Sequence, residues 1–269
     1  MKKRNLNLTN TKIPPPLNSS LSKLAQFKTF SLLLGLILSF SVLAQPGDYA
    51  DIFADLTKKT SRSAAFLERQ VAHMTLVHQA DTQGVLSLVN NDEYTTIRTY
   101  TRNQTLFNNY LKQGVNIDHF VNVQAQDLDM ALSKLPDFEE ITYRGIIAPK
   151  GVFGTKIIAN DVVSNNLFMS TSSSKEYPKS FALASSDNAG VVFRIEGKTG
   201  KNIALFSRFQ GIKGEAEVLF RPNTQFRVLD IKKSAGKTYV LLKQELNYVG
   251  PAKRIFDGDP INIAICGIN

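Results

Sequence analysis

Apolar residues recur with two different periods along this chain. From Asp48 to about Leu135 the spacing is helical: Ile52, Phe53 and Leu56; Phe66, Leu67, Val71 and Met74; Leu106, Phe107, Tyr110 and Leu111. Recurrence every three to four residues gathers apolar side chains on one helix face, which is ordinarily buried, so these stripes read as core. The stops agree, because Gly114 follows the Phe107–Gln113 stretch and Pro136 closes Asp127–Leu135. Asp92 is placed to cap a helix carrying Ile97 and Tyr100 on one face. Beyond Pro136 the texture changes to short β-rich runs separated by Gly, Asn and Pro. These are Ile141–Ile147, Lys156–Ala159, Val191–Ile195, Ile203–Phe206, Ala216–Phe220, Phe226–Leu229, Thr238–Leu242 and Ile261–Cys266. Pro222-Asn223-Thr224 predicts a turn between two of them, and one helix is predicted around Lys179–Ser185. Helices first and strands afterwards make an α+β layout in which the helices can pack on the sheets.

The amino-terminal segment stands apart. Residues 1–44 carry six Lys and Arg and no acidic residue, and end in the apolar run Phe30–Ala44. A basic region, a short apolar stretch and a small residue predict a secretory signal peptide over residues 1–44, cleaved near Ala44. The fifteen-residue run falls short of the ~20 residues a spanning helix needs, so no stable membrane anchor is expected after cleavage. Without those six basic residues the chain holds 26 Lys and Arg against 23 Asp and Glu, a net charge of +3. The high pI then belongs mostly to the export signal, and no nucleic-acid surface is implied. Cys266 is the lone cysteine, so no intrachain disulfide can form; it reads as a small buried hydrophobe. The expected division is a signal peptide (1–44), a helical region packed on the core (45–90) and a catalytic domain (91–269).

Three short signals lie in order in the strand-rich half: Ile141-Thr-Tyr-Arg144-Gly145, then Leu167-Phe-Met-Ser170-Thr171-Ser172, then Gly214-Glu215-Ala216-Glu217-Val218-Leu219-Phe220. Each has a bland reading: Arg144 in a surface ion pair, the serines in a polar turn, the glutamates on the wet face of an edge strand. With nine Glu in 269 residues, a Glu-x-Glu triplet arises about 0.3 times by chance, so it proves little alone. Geometry sharpens it. Residues two apart in a strand point to one side, so Glu215 and Glu217 would project together. Neighbouring carboxylates repel and raise each other's proton affinity, a cost tolerated where they serve a cation or a reaction. A guanidinium opposite, such as that of Arg144, offers a fork suited to phosphate. His73, His78 and His119 show no metal-ligand spacing, and no metal site is expected.

Taken together, Tyr143-Arg144, Ser170-Thr171-Ser172 and Glu215-Ala216-Glu217, spaced 26 and 45 residues apart, resemble the signature of the R-S-E class of mono-ADP-ribosyltransferases. Supporting likenesses are Tyr94–Thr101 with Asn109 and Leu111, and Leu128-x-x-Ala131-Leu132 with Pro136. The resemblance covers about Tyr94 to Leu229 and is nearest to small secreted bacterial toxins. It implies N-terminal helices followed by a two-sheet, mostly antiparallel β-sandwich with a cleft for NAD+ as co-substrate. It further implies that Arg144 contacts the NAD+ phosphates, that the Gly145 backbone holds the nicotinamide amide, and that Ser170 supports Glu217. Thr171 and Ser172 would brace the pocket wall, Glu217 would stabilise charge on the ribose, and Glu215 would orient an acceptor guanidinium. Glu rather than Gln at 215 resembles the arginine-specific branch. The implied partner is a host protein bearing an acceptor arginine, with actin and small GTPases common targets in the family. Rival readings are NAD+ hydrolysis with water as acceptor, and a secreted binding module without activity. One departure stands out: no Phe-x-x-Arg element lies between Ser172 and Glu215, leaving Lys179, Phe181 or Arg208 to substitute.

Overall fold

The computed structural model describes residues 49–113, 119–207 and 215–261. The predicted signal peptide, Gly114, Arg208, Gly214, Cys266 and the side chains of Asn109, Tyr110, Leu111 and His119 lie outside the described residues. Helices come first: α1 (Ala50–Thr57), α2 (Arg62–Thr82), α3 (Asn91–Arg102), α4 (Gln104–Gln113) and α5 (His119–Ser133). Helix α3 starts on a capping box. Asn90 Oδ1 accepts from the Glu93 amide and Glu93 Oε2 from the Asn90 amide, both at 2.9 Å. The cap is therefore Asn90 rather than Asp92, while Ile97 and Tyr100 do share its buried face. No helix among the described residues is long and apolar enough to cross a membrane.

Strands follow as β1 (Asp137–Phe138), β2 (Ile141–Pro149), β3 (Val162–Asn165), β4 (Met169–Ser172), β5 (Asn188–Glu196) and β6 (Gly200–Asn202). The remainder are β7 (Glu217–Phe220), β8 (Thr224–Ser234), β9 (Lys237–Glu245), β10 (Ala252–Arg254) and β11 (Pro260–Ile261). They form one hydrogen-bonded order, β1-β6-β7-β4-β2-β5-β9-β8-β3-β10-β11, mostly antiparallel, with β5–β9 and β3–β10 parallel. The α+β layout holds; the expected pair of sheets is one ladder among the described residues. That ladder is thin at one place. Strand β2 pairs with β5 over all nine residues, yet meets β4 only at Tyr143↔Ser172. Beyond that pair the β4-facing edge of β2 is released, and the cleft opens there.

Several local expectations shift. The predicted strand Lys156–Ala159 is the exit of a tight turn over Val152–Lys156, and Ile203–Phe206 is a turn behind β6. The predicted helix at Lys179–Ser185 is a single 3₁₀ turn, Pro178–Ser180, beside two glycine-bearing strands. A Cβ on Gly145 would sit 1.9 Å from the Pro178 carbonyl oxygen, and one on Gly190 2.3 Å from that of Ala182. Backbone-to-backbone contact this close is possible only with glycine. Asn223, at φ 64, supplies the left-handed residue of the predicted turn between β7 and β8.

Two large apolar clusters hold the strands. One packs β2, β5, β8 and β9 (Ile146, Phe193, Val228, Leu242) against Phe153 and Ile255. The other packs α3, α4 and α5 (Ile97, Tyr100, Phe107, Leu128, Leu132) onto Phe168, Phe206 and Leu219. On α2 the predicted stripe is the wrong face. Phe66, Leu67, Val71 and Met74 are exposed, while His73, Leu76 and Ala80 are buried, at the same helical spacing. The buried stripe contains a histidine and an alanine, so it carries little hydropathy signal.

Candidate active site

The released edge of β2 faces a cavity of about 260 Å³. Its lining includes Tyr100 and Arg102 from α3, Arg144 and Gly145 from β2, Ser170, Thr171 and Ser172 from β4, Tyr177 and Phe181 from the following turn, and Glu215 and Glu217. All seven site residues named from the sequence thus meet in one cavity, although the chain separates the first from the last by more than seventy residues.

Glu217 opens β7 and is 5% exposed. Strand β7 pairs with β4 so that Ser172 lies opposite Glu217, and Ser170, diagonally placed, reaches across. Its hydroxyl donates to Glu217 Oε1 at 2.7 Å. Burial is the main reason the Glu217 carboxyl is pushed up to about 7; the Glu215 charge adds to this, while the Ser170 hydrogen bond and Arg144 oppose it. Arg144 Nη1 donates to the Ser170 carbonyl oxygen. Its Nε is buried without a hydrogen-bond partner among the described residues, and burial lowers its proton affinity. An orphaned guanidinium N–H in a cavity is costly unless something binds it, and an anionic group fits that need. Thr171 donates to the Val218 carbonyl at 2.7 Å, stapling β4 to β7, and Ser172 Oγ accepts from the Ser174 amide at 3.1 Å.

Glu215 is placed differently from its expectation. It precedes β7 rather than lying within it, so strand alternation does not fix its direction. Two contacts from outside the sheet do. The His73 ring pairs with the Glu215 carbonyl at 3.1 Å, and the Tyr177 hydroxyl donates to Oε1. Burial raises the Glu215 carboxyl, and the Tyr177 hydrogen bond partly offsets it. Burial also holds the Tyr177 and Tyr100 hydroxyls well above the ordinary phenol range, so both stay protonated donors.

Sequence reasoning missed Tyr100, Tyr177 and His73. Tyr100 carries only the signal of a core position, Tyr177 sits in a segment of no periodicity, and His73, without metal-ligand spacing, reads as a solvated or core histidine, which says nothing of its contact with Glu215. Of the three residues that could substitute for the missing Phe-x-x-Arg element, Phe181 lines the cavity and its ring packs tilted against Tyr177, with centroids 5.2 Å apart. Lys179 is tied to Glu176 at 2.8 Å, and Arg208 lies outside the described residues.

Residues 73–247 match the ADP-ribosyltransferase exoenzyme family, and the chain belongs to that family. It is similar to the NAD(+)–protein-arginine ADP-ribosyltransferase Tre1 of Serratia proteamaculans (strain 568), 29% identical over 160 residues, which covers 59% of this chain and 33% of that protein. It is also similar to the protein named putative NAD(+)–arginine ADP-ribosyltransferase Vis of Vibrio splendidus (strain 12B01), 32% identical over 115 residues, 41% of this chain and 45% of that one. The chain thus matches less than half the length of each of these relatives. In structure it resembles Vis in complex with agmatine, with a TM-score of 0.62 and 21% identity, covering 77% of this chain and 99% of that one.

Proposed function

We propose that this protein transfers ADP-ribose from NAD+ to an arginine side chain of another protein, releasing nicotinamide. The observation that carries the reading is the buried Glu217 carboxyl, held by Ser170 at 2.7 Å in the same cavity as Arg144 and Glu215. A site of about 260 Å³ lies just under the usual ~300 Å³ lower bound for drug-sized ligands, which suits one half of a dinucleotide. The nicotinamide-ribose half would lie there, with the two strand groups meeting at Tyr143↔Ser172 acting as the walls of the cleft.

Arg144 would take a phosphate oxygen with the N–H that otherwise has no partner, and the free backbone edge at Gly145 would meet the nicotinamide amide. Cleavage of the bond between nicotinamide and ribose leaves positive charge on the sugar, which an ionised carboxylate stabilises at close range and low dielectric. Glu217 would supply that charge, oriented by Ser170, while Thr171 and Ser172 keep β4 and its following turn in place. Glu215 would receive the acceptor. A guanidinium is a poor nucleophile because it stays protonated, so a neighbouring carboxylate that orients it and takes its proton is required. Arginine as acceptor is supported by Glu at 215 and by the names of Tre1 and Vis; agmatine, bound in a Vis structure, is a small guanidino compound of the same kind. A protein partner bearing an accessible arginine follows, and export by a cleaved signal over residues 1–44 fits an enzyme acting on a host.

Incubation with NAD+ labelled in its adenosine half and with agmatine tests this. Labelled agmatine together with released nicotinamide supports transfer; free ADP-ribose alone supports hydrolysis. A Glu217→Gln chain that turned NAD+ over at the wild-type rate would overturn the assignment.

A further inference from the structure

We propose that Tyr177 is a positioning residue for the acceptor half of this reaction, its hydroxyl fixing one oxygen of Glu215 so that the other faces an incoming guanidinium. The proposal rests on the transferase reading above and adds a residue to it.

The need for such a group follows from where Glu215 sits. Glu217 is set by the ladder, with Ser172 opposite and Ser170 diagonal. Glu215 has no such frame, since β7 begins two residues later. A freely rotating glutamate side chain would present its carboxylate in many directions, and a catalytic carboxylate held loosely loses much of the benefit of proximity. The Tyr177 hydroxyl donates to Oε1, and among the described residues no hydrogen bond reaches Oε2. A carboxylate can accept at both oxygens, so Tyr177 and a guanidinium can share it.

Tyr177 is itself well held. Its amide donates to Ser174 Oγ at 3.1 Å, its ring packs tilted against Phe181, and the next residue, Pro178, presses its carbonyl onto the β2 backbone at Gly145. Ser174 in turn donates to Glu68 of α2, whose other oxygen accepts from the Lys175 amide at 2.9 Å. The same helix places His73 on the Glu215 carbonyl. Helix α2 and the turn after β4 therefore grip Glu215 at its two ends. Among the described residues, the charged and titratable groups around the carboxylate are Tyr177 from the turn, Glu217 from β7, and Arg69 and His73 from α2, the Arg69 charge acting on Tyr177.

The test uses Tyr177→Phe, which keeps the ring and its contact with Phe181 and removes only the donor. Two rates are followed against pH in the purified chain: nicotinamide release with water as acceptor, and ADP-ribose transfer to agmatine. A hydrogen bond to a charged group is worth enough that its loss should lower the ratio of transfer to release about tenfold. Without the donor the Glu215 carboxyl moves further up, so the acidic limb of transfer should shift to higher pH relative to that of release. An equal fall in both rates, or an unchanged ratio with unshifted limbs, would overturn the role. A wild-type chain that releases nicotinamide but never labels agmatine would instead sink the transferase reading, and this proposal with it.

Discussion

Glu217 is a buried carboxyl, and burial gives it an expected signature in stability as well as in catalysis. Its folded-state carboxyl titrates near 7, well above the ordinary carboxylate value of 4.5. The folded protein therefore binds the proton more tightly than the unfolded chain. No penalty exists below about pH 4.5; it grows as pH rises and is complete above about pH 7, on the order of 3 kcal/mol. Glu217→Gln removes the charge and keeps the shape, with an amide able to accept from Ser170. The variant should melt above the wild type at pH 8, and the two should converge at pH 4, in calorimetric scans. A variant no more stable at pH 8 would show that Glu217 is ionised at little cost. Activity should run the other way: wild-type kcat/KM for nicotinamide release should rise through pH ~7 as the carboxylate forms. Gly145 carries the opposite kind of constraint. Gly145→Ala drives a methyl into the Pro178 carbonyl, 1.9 Å from the new Cβ. Overpacking against backbone costs roughly 1–3 kcal/mol or more, readable as a lower urea midpoint, and displaces the turn bearing Tyr177.

Among elements, α2 shows what the pattern of hydropathy could and could not reveal. The helix itself was legible from its period, but its orientation was not. Phe66, Leu67, Val71 and Met74 outweigh His73, Leu76 and Ala80 on any apolar scale, yet the second set is the one buried, Leu76 against Phe138, Ala204 and Val218 and Ala80 in the cluster of Ile97 and Tyr100. A histidine ring bonded to a backbone carbonyl and a small alanine at close contact satisfy the core without looking apolar. The consequence is testable by unfolding in urea. Leu76→Ala, at 1% exposure, is expected to cost roughly 2–5 kcal/mol, whereas Met74→Ser, at 62%, should fall within about 0.5 kcal/mol of the wild type. The reverse ranking would mean that α2 packs by the face its sequence advertises. Elsewhere the alternating and β-branched runs gave β2, β5, β8 and β9 correctly in place. Strands β3 and β4 escaped because they are short and largely enclosed, with Ser164, Asn165, Thr171 and Ser172 buried as polar groups. In Ser170-Thr171-Ser172, motif order carried information that periodicity lacked, and these residues line one cavity with Glu217. Glu215 lines the same cavity, but strand alternation is not what brings it there, since its backbone lies outside the strand.

At the scale of the whole molecule, the cavity exists only because distant parts of the chain are brought to one place. Tyr100 comes from a helix, Arg144 and Ser170 from strands that touch at a single residue pair, and Glu217 from the strand beyond. No short stretch can preserve the site when the fold is lost, so a ligand held there binds the native state alone and must stabilise all of it. Glu217→Gln is the background in which to see this, because it should bind NAD+ without consuming it. At one hundred times the dissociation constant the stabilisation is about 2.7 kcal/mol, which for a folded unit of this size raises the melting temperature by about 5–10 °C. Arg144→Lys in the same background keeps a positive charge but loses the planar fork and the buried Nε–H, which has no partner among the described residues. If that N–H meets a phosphate, binding weakens tenfold or more, and at the same NAD+ concentration the shift shrinks by about 3–5 °C. A double variant that kept the full shift would place the dinucleotide elsewhere and leave Arg144 as a strut for the Ser170 carbonyl. Loss of the shift, with the melting temperature in the absence of NAD+ close to that of the single variant, would separate ligand contact from structural support.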